Sequence, residues 1–284
     1  MLRRVEIKGY RALSYVSVNL SEFQVMVGPN GSGKSTFFDA VKLLRDILNV
    51  GLERSIQGDH RFDVPMRAVD PLDLSWMRTD APIEIALTAE LPESIRQSLS
   101  NGYSYCRYEI TLKVAPELRL ENETFWLCHS LPSERKDSFL FPTPAEVPDR
   151  VCRPPGAKTP GGWRKVLSKT ADRGNDYFRA ETSDWNTLFR LGPSKATLAN
   201  LPEDEKKFPA ATWFKGYLME GVERLVLNAE LMRSPCLPGP SRAFRMDGSN
   251  LPLVVNALQE KDASRYAEWL DHIRTVLPDV ESIT

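Results

Sequence analysis

This 284-residue chain contains the stretch Gly28-Pro29-Asn30-Gly31-Ser32-Gly33-Lys34-Ser35, which decides its fold. The stretch fits G-x-x-x-x-G-K-[ST], the pattern of a phosphate-binding loop. An apolar, β-prone run, 23–27, precedes it. After it, apolar residues recur at helical spacing at positions 37, 40, 41, 44, 47 and 48. The order strand, glycine-rich loop, helix predicts a P-loop unit.

Each residue type in the loop has a physical role. The three glycines let the backbone turn sharply and approach a polyanion, and successive N–H groups form an anion nest at the start of the helix. Lys34 places a positive charge on the outer phosphates, and the Ser35 hydroxyl is a ligand for Mg²⁺. We therefore predict a nucleoside triphosphate site, with Lys34 as its catalytic residue. The predicted binding residues are Gly28, Pro29, Asn30, Gly31, Ser32, Gly33, Lys34, Ser35 and Thr36.

The amino-acid composition limits which functions are possible. The formal net charge is −1, so any contact with nucleic acid requires a local basic patch. The four cysteines are widely spaced without a C-x-x-C pair, which argues against a zinc ribbon or a disulfide framework and suits a reducing compartment. The sequence shows neither a signal peptide nor a run of about 18 apolar residues, so we expect a cytoplasmic protein with no membrane contact.

The residues before the loop read as two half-buried strands, 2–8 and 16–20, because polar and apolar side chains alternate in both. Gly9-Tyr10-Arg11-Ala12-Leu13 lies between them, and together with the end of the first strand it gives the phrase Ile7-Lys8-Gly9-Tyr10-Arg11-Ala12-Leu13. This phrase, followed by the Gly-Pro-Asn-Gly-Ser-Gly-Lys-Ser loop, resembles the opening of ABC-type P-loop ATPases of the RecF/SMC/OLD group. The resemblance is specific over residues 2–48 and returns over 233–258.

The resemblance implies an α/β fold: a P-loop NTPase core of ABC/SMC-head type with an antiparallel β lobe and a C-terminal helical segment. It implies ATP and Mg²⁺ as cofactors, a homodimer or larger oligomer formed through ATPase heads, and DNA or an effector protein as partner. It makes Arg11 a candidate neighbour of the nucleotide, although a surface turn arginine fits as well. It makes Gln57 a candidate ligand of Mg²⁺, although a solvated loop residue fits as well.

The chain divides into three stretches within one partial head. Residues 1–48 carry the nucleotide-binding strands, loop and first helix, and 49–80 read as a loop-rich connection. Residues 83–230 form the β lobe, with an antiparallel meander over 83–91, 108–114 and 118–127 and a Pro/Gly-rich basic insertion over 130–180. Residues 231–284 form the helical segment. Further predicted elements are helices at 194–201, 209–219, 252–258 and 263–277 and a strand at 222–228.

The basic insertion has two interpretations. Residues 150–179 contain eight Lys or Arg against two Asp, a net charge of +6, with Trp163, Tyr177 and Phe178 interleaved. Such a segment can hold a phosphate backbone and stack on bases. A solvated surface flap has the same composition.

The catalytic carboxylates of the resembled group are not identified. The run 225–230 ends where a Walker B strand would need an Asp and then a Glu, but Asn228 and Ala229 occupy those places and Glu230 comes one residue late. We identify neither a Leu-Ser-x-Gly signature loop, nor an apolar strand ending in Asp-Glu, nor a switch histidine. The chain therefore resembles an N-terminal half: a fragment, a split subunit or a degenerate paralogue.

Three functions are compatible with these motifs. The first is an ATPase head that couples ATP binding and hydrolysis to action on DNA or an effector protein, of the DNA-repair or phage-defence type. The second is a non-hydrolysing nucleotide-binding module that organises a complex. The third, a small-molecule kinase or GTPase, is disfavoured by the leading strand pair and by the lack of an N/T-K-x-D loop.

Overall fold

The computed structural model of the chain describes residues 1–62, 64–99, 101–131, 147–171, 176–223, 225–236 and 244–283. Two compact units are present, Met1–Val222 and Glu223–Thr284. Among the described residues, none of the helices combines the length and the apolar character needed to cross a bilayer.

One antiparallel sheet organises the first unit, with eight strands in the described residues and the order β2-β1-β3-β4-β5-β6-β7-β8. The predicted N-terminal strand pair and the predicted meander β3-β4-β5 are confirmed. The strands are β1 (Leu2–Tyr10), β2 (Leu13–Asn19), β3 (Ile83–Glu90), β4 (Tyr105–Lys113), β5 (Arg119–Cys128), β6 (Trp163–Thr170), β7 (Asp176–Arg179) and β8 (Asn186–Phe189).

Helices cover one face of this sheet. Helix α1 (Lys34–Val50) buries Leu43 and Leu44 completely, because its apolar residues recur at helical spacing and form one stripe. Helix α4 (Pro209–Gly221) brings Phe214 against Tyr108 and Phe125, with ring centroids 5.9 and 5.4 Å apart. Both helices were predicted. Two short helices, α2 (Leu52–Gln57) and α3 (Glu93–Ser98), complete the first unit.

The other face of the sheet is polar but buried. Side chains alternate between faces along a strand, so the strand register aligns polar residues in two neighbouring rows. One row contains Arg4, Thr88, Arg107, Trp126 and Lys165. The next contains Glu6, Ala86, Glu109, Thr124 and Ser168.

Residues 147–155, which we call the strap, cross this polar face. The Glu84 carboxylate accepts hydrogen bonds from the backbone N–H groups of Val151 and Cys152. The Cys152 thiol donates to the carbonyl of Ile110 at 3.3 Å, and burial raises the pKa of this thiol well above its usual range. The strap therefore replaces water as the hydrogen-bonding partner of the sheet's polar side chains.

Several predicted elements are wrong in the first unit. The run 23–27 is not a strand: Phe23, Val25 and Val27 are 81, 61 and 87% exposed, and no strand pairs with them in the described residues. The connection 49–80 contains α2, and residues 194–201 form turns rather than a helix. From residue 163 onward the basic insertion is not a surface flap, because β6 and β7 of the sheet lie within it. Its residues 132–146 and 172–175 lie outside the described residues.

The second unit contains three α-helices in its described residues. Its helices are α5 (Ala229–Met232), α6 (Leu251–Lys261) and α7 (Ala263–Arg274). The predicted helix 263–277 ends earlier than expected, and of its predicted core residues Leu270 is buried whereas Leu277 is 56% exposed. The strand predicted over 222–228 is not formed in the described part of that range.

A buried carboxylate fixes the start of α4. Helix α4 begins after Phe208 without a side-chain cap of its own, and Glu181 instead accepts hydrogen bonds from the backbone N–H groups of Ala210 (2.7 Å) and Ala211 (2.8 Å). A negative charge at a helix N-terminus is favourable. Desolvation nevertheless outweighs these bonds and raises the pKa of Glu181 to about 7.

We expect this shift to make stability fall as pH rises. Between the carboxyl's ordinary range and pH 7, folded Glu181 holds a proton that the unfolded chain has released, so the free energy of unfolding decreases by up to about 1.4 kcal/mol per pH unit. Urea unfolding of wild type and Glu181→Gln between pH 5 and pH 8 measures this, and the variant should show a flatter profile. Glu117→Gln, at an exposed position, is the matched control. Equal slopes in wild type and Glu181→Gln would contradict the assignment.

Candidate functional site

The P-loop adopts a turn that only its glycines permit. Gly31 and Gly33 have φ of 80° and 91°, in the left-handed region where a Cβ is strained. The Ser32 N–H donates to the carbonyl of Pro29 at 3.3 Å, which closes the turn. The Phe37 N–H then donates to the carbonyl of Gly33 at 2.9 Å, so α1 begins directly after the loop.

Lys34 lies over this loop. Its ammonium donates to the carbonyls of Gly28 (2.7 Å) and Pro29 (2.8 Å), and the Ser32 hydroxyl is 3.3 Å away. The Lys34 ammonium is thus held at the open side of the loop, which we call its mouth, by uncharged oxygen atoms. A bound anion can replace these atoms as the partner of the ammonium. No side chain of the described residues caps α1, and its first turn contains no acidic residue. The first N–H groups of the helix therefore have no side-chain acceptor in the described residues, and they point toward the end of the helix where the Lys34 ammonium lies.

The space at this mouth fits phosphates. A Cβ added to Gly28 would lie 3.0 Å from the Ser32 hydroxyl and 3.9 Å from the Lys34 ammonium, so the glycine leaves room beside the charge. The loop residues 28–32 are exposed, and so is Ser35, the first-turn hydroxyl of α1. Free N–H groups, one ammonium and one hydroxyl are a donor set for a triphosphate with its Mg²⁺.

A buried ion network joins α1 to the residues that follow it. The Asp39 carboxylate accepts hydrogen bonds from the Tyr10 hydroxyl (2.6 Å) and from the guanidinium groups of Arg11 and Arg67 (both 3.0 Å). Arg67 also donates to Asp46 at 2.7 Å. Burial, reinforced by the Asp39 carboxylate, raises the pKa of Tyr10, so its hydroxyl stays protonated and donates.

Arg11 is part of this network. Its backbone is left-handed, with φ of 48°, and its N–H donates to the carbonyl of Leu74 at 2.8 Å. Its guanidinium contacts Asp39 and the carbonyl of Arg67, and its side chain remains 30% exposed. The structure therefore gives Arg11 a bridging contact between α1 and the segment 67–74.

Gln57 lies at the end of α2, before Gly58, with an exposed side chain. No hydrogen bond links it to the P-loop in the described ranges. Asn228, at the place where a Walker B strand would need its Asp, accepts hydrogen bonds from the N–H groups of Glu230 (3.0 Å) and Leu231 (3.2 Å) and so caps α5. Its amide is explained by helix capping.

The prediction that the chain has no Leu-Ser-x-Gly motif is wrong at the level of sequence. A Leu-Ser-x-Gly string occurs at positions 99–102. The string connects α3 to β4, and Gly102 has φ of 68° in that turn; Ser100 lies outside the described residues. No helix begins at this glycine, so the string lacks the helix N-terminus that binds phosphate.

Sequence reasoning missed the acidic residues of α1. Asp39 and Asp46 are seven residues apart, two helical turns, and therefore share a face that also carries buried apolar residues. The sequence signal that could have identified them is the position of two acidic residues among the apolar residues on the buried face of the helix. Their partner Arg67 lies in a stretch without periodicity, where no sequence signal marks it.

Comparison with known proteins supports a nucleotide site. Residues 1–105 match the AAA ATPase domain family. The chain is 30% identical over 79 residues to an OLD nuclease of Thermus scotoductus, a match that covers 23% of this chain and 15% of the nuclease. The chain thus spans a small part of that relative's length.

A solved structure from work on ATP-driven dimerization and DNA-stimulated activation of SMC ATPases is similar at 20% identity, with a TM-score of 0.30, over 44% of this chain and 68% of that one. The resemblance predicted from residues 2–48 is confirmed as a similarity: residues 1–105 match an AAA ATPase domain, and the chain shares sequence with an OLD nuclease.

We expect Asp39 to be essential for stability. Asp39→Ala leaves Arg67 buried with one carboxylate fewer and removes the partner of Arg11, which costs about 3–5 kcal/mol of the free energy of unfolding. Asp184→Ala is the matched control, because its carboxylate is 97% exposed and pairs with Arg179 at 3.7 Å. The control should cost at most about 1 kcal/mol. Urea unfolding at pH 7 measures both, and equal losses would disprove the role of the network.

Proposed function

We propose that this chain is the ATP-binding part of a RecF/SMC/OLD-like ATPase head, which couples ATP binding and hydrolysis to action on DNA or on an effector protein. The observation that carries the proposal is the position of the Lys34 ammonium over the glycine loop at the uncapped start of α1. A single cation above a ring of main-chain N–H groups is suited to the outer phosphates of a nucleotide.

The chain's own residues divide the task. Gly28 and residues 30–33 with Thr36 hold the phosphates through backbone N–H groups, and Pro29, which has no N–H, shapes the loop. Lys34 neutralises the charge that develops on the outer phosphates, and the Ser35 hydroxyl would hold Mg²⁺. Arg11 is a further proposed contact of the nucleotide, which it would reach by exchanging Asp39 for a phosphate. Gln57 is a proposed ligand of Mg²⁺. The metal, when bound, supplies charge stabilisation to the transferring phosphoryl group.

Hydrolysis requires groups that we have not identified in this chain. A Walker B carboxylate holds Mg²⁺ in P-loop enzymes, and Asn228 cannot replace it because an amide carries no charge. The exposed side chains of Phe23, Val25 and Val27 support the same proposal, since an apolar run beside a P-loop is suited to pair with strands supplied by another segment or chain. The ABC/SMC-head arrangement, with lobe 83–230 and helical segment 231–284, and head-to-head assembly are parts of this proposal.

A second candidate is a nucleotide-binding module without hydrolysis, which organises a complex. It is favoured by one observation: the segment that most resembles a Walker B strand is not a strand in its described part and uses its polar residue to cap α5. Steady-state ATP hydrolysis by the purified chain separates the two candidates. Turnover by the chain alone favours the ATPase head, and tight binding without turnover favours the module.

We expect Lys34→Ala to lower the affinity for ATP at least tenfold, because it removes the only charge of the loop. Isothermal titration of ATP with Mg²⁺ into wild type and variant measures this. Lys206→Ala removes one exposed lysine outside the loop and should bind like wild type. The melting temperature of Lys34→Ala should change little, because its partners are exposed loop atoms. Unchanged ATP affinity in Lys34→Ala would refute the assignment of the site.

A further inference from the structure

A cavity of about 310 Å³ lies on the polar face of the sheet, between the strap and strands β1, β2, β4 and β6. It contains neither P-loop residues nor their network. Four of its lining residues are arginines and two are glutamates, so the lining has a net charge of +2. The arrangement of these charges shows what the cavity can hold.

The floor of the cavity is electrically neutral. Arg107 is 4% exposed and forms ion pairs with Glu6 and, at 2.7 Å, with Glu109. Arg4 lies 3.4 Å from the same Glu6 carboxylate. Glu109 also accepts from the Trp126 indole N–H at 3.0 Å. Two arginines and two glutamates thus satisfy one another inside the sheet, as buried charges must.

The rim is not neutral. The strap is bound through its backbone: Arg153 N–H donates to Glu109 at 3.1 Å, Arg153 carbonyl accepts from Asn122 at 3.1 Å, and Val151 carbonyl accepts from Arg107 at 3.2 Å. The carboxylates are therefore saturated before the side chains of Arg150 and Arg153 can pair with them. Among the described residues neither side chain forms an ion pair, and the Arg153 guanidinium lies 4.8 Å from the centroid of the Trp163 ring.

A third cation lies beside them on the same face. The Lys165 ammonium is 4.7 Å from the centroid of the Trp126 ring, and Trp126 packs edge-on against Trp163 at 5.7 Å. Cations held over aromatic rings keep their charge while their position is fixed. By contrast, the other described cations of the 150–179 segment mostly have structural partners: Lys169 donates to the carbonyls of Gly192 and Lys195, and Arg164 to those of Ala180 and Ser183.

The geometry points to a second anion site, which binds a phosphate group carried by a nucleotide or by a nucleic-acid strand at Arg150 and Arg153. The charge of two guanidinium groups, of which that of Arg153 is positioned over the Trp163 ring, matches that of a phosphate. A phosphate carries −1 in a phosphodiester and about −1.5 to −2 in a monoester at pH 7. Guanidinium groups also match its geometry, because each offers two parallel N–H donors to phosphate oxygens. The inference does not rest on the function proposed for the P-loop.

The test is binding of a fluorescein-labelled single-stranded 12-mer to the whole chain, measured by fluorescence anisotropy, with inorganic phosphate and AMP as unlabelled competitors. Every measurement is repeated in the Lys34→Ala background, which removes binding by the P-loop. We expect the double variant Arg150→Glu/Arg153→Glu to weaken binding at least tenfold and to lower the slope of log K against log salt by about 2. Lys206→Glu, a single charge reversal at an exposed residue, should change affinity less than twofold.

The competitors identify the source of the phosphate. Displacement by phosphate and AMP assigns the site to a free nucleotide or a strand end, and displacement by unlabelled strand alone assigns it to a strand backbone. The melting temperature of each variant reports folding; Arg150→Gln/Arg153→Gln replaces the charge reversal if that variant unfolds. The proposal is overturned if wild type binds none of the probes, if the double variant binds like wild type, or if Lys206→Glu weakens binding equally.

Discussion

The start of helix α1 is the constraint on which the geometry of the candidate nucleotide site depends. Gly33 has a left-handed backbone that a residue with a Cβ tolerates poorly, and Lys34 follows it as the first helical residue. The loop therefore ends where the N–H groups of α1 are unpaired, and the ammonium of Lys34 folds back over the carbonyls of Gly28 and Pro29. Any movement of α1 relative to β1 displaces this arrangement, which explains why α1 is fixed by charge as well as by apolar packing.

Buried ion pairs lie on both faces of the sheet, and they attach different segments of the chain on each face. Behind the P-loop, Asp39, Asp46 and Arg67 connect α1 to the segment after it, and their burial makes each partner indispensable once the others are present. On the far face, Arg4, Glu6, Arg107 and Glu109 form a neutral cluster that also binds the strap. The first cluster fixes the helix that follows the P-loop, whereas the second leaves two arginines of the strap without a carboxylate partner among the described residues.

The unit Met1–Val222 buries an extensive core and still exposes apolar side chains beside its functional loop. Phe23, Val25 and Val27 belong to an apolar, β-prone run, but a strand forms only where another strand offers backbone partners. In the described residues β2 pairs with β1 and lies at the edge of the sheet, and the run after it forms no strand and exposes these three side chains.

Local sequence patterns determined the P-loop, α1, α4, α6 and strands β1 to β5, because periodic apolar residues and glycines act over a few neighbouring residues. The two strand predictions that failed share one cause. The runs 23–27 and 222–228 have the composition of strands, but strand formation depends on a partner that composition does not specify. Only the tertiary structure brought Arg67 to Asp39 and Glu181 to the start of α4, because these contacts join residues 28 or more positions apart in the chain. Only the tertiary structure likewise placed Arg150 and Arg153 at the rim of one cavity, because their position there depends on which backbone groups already bind the nearby carboxylates.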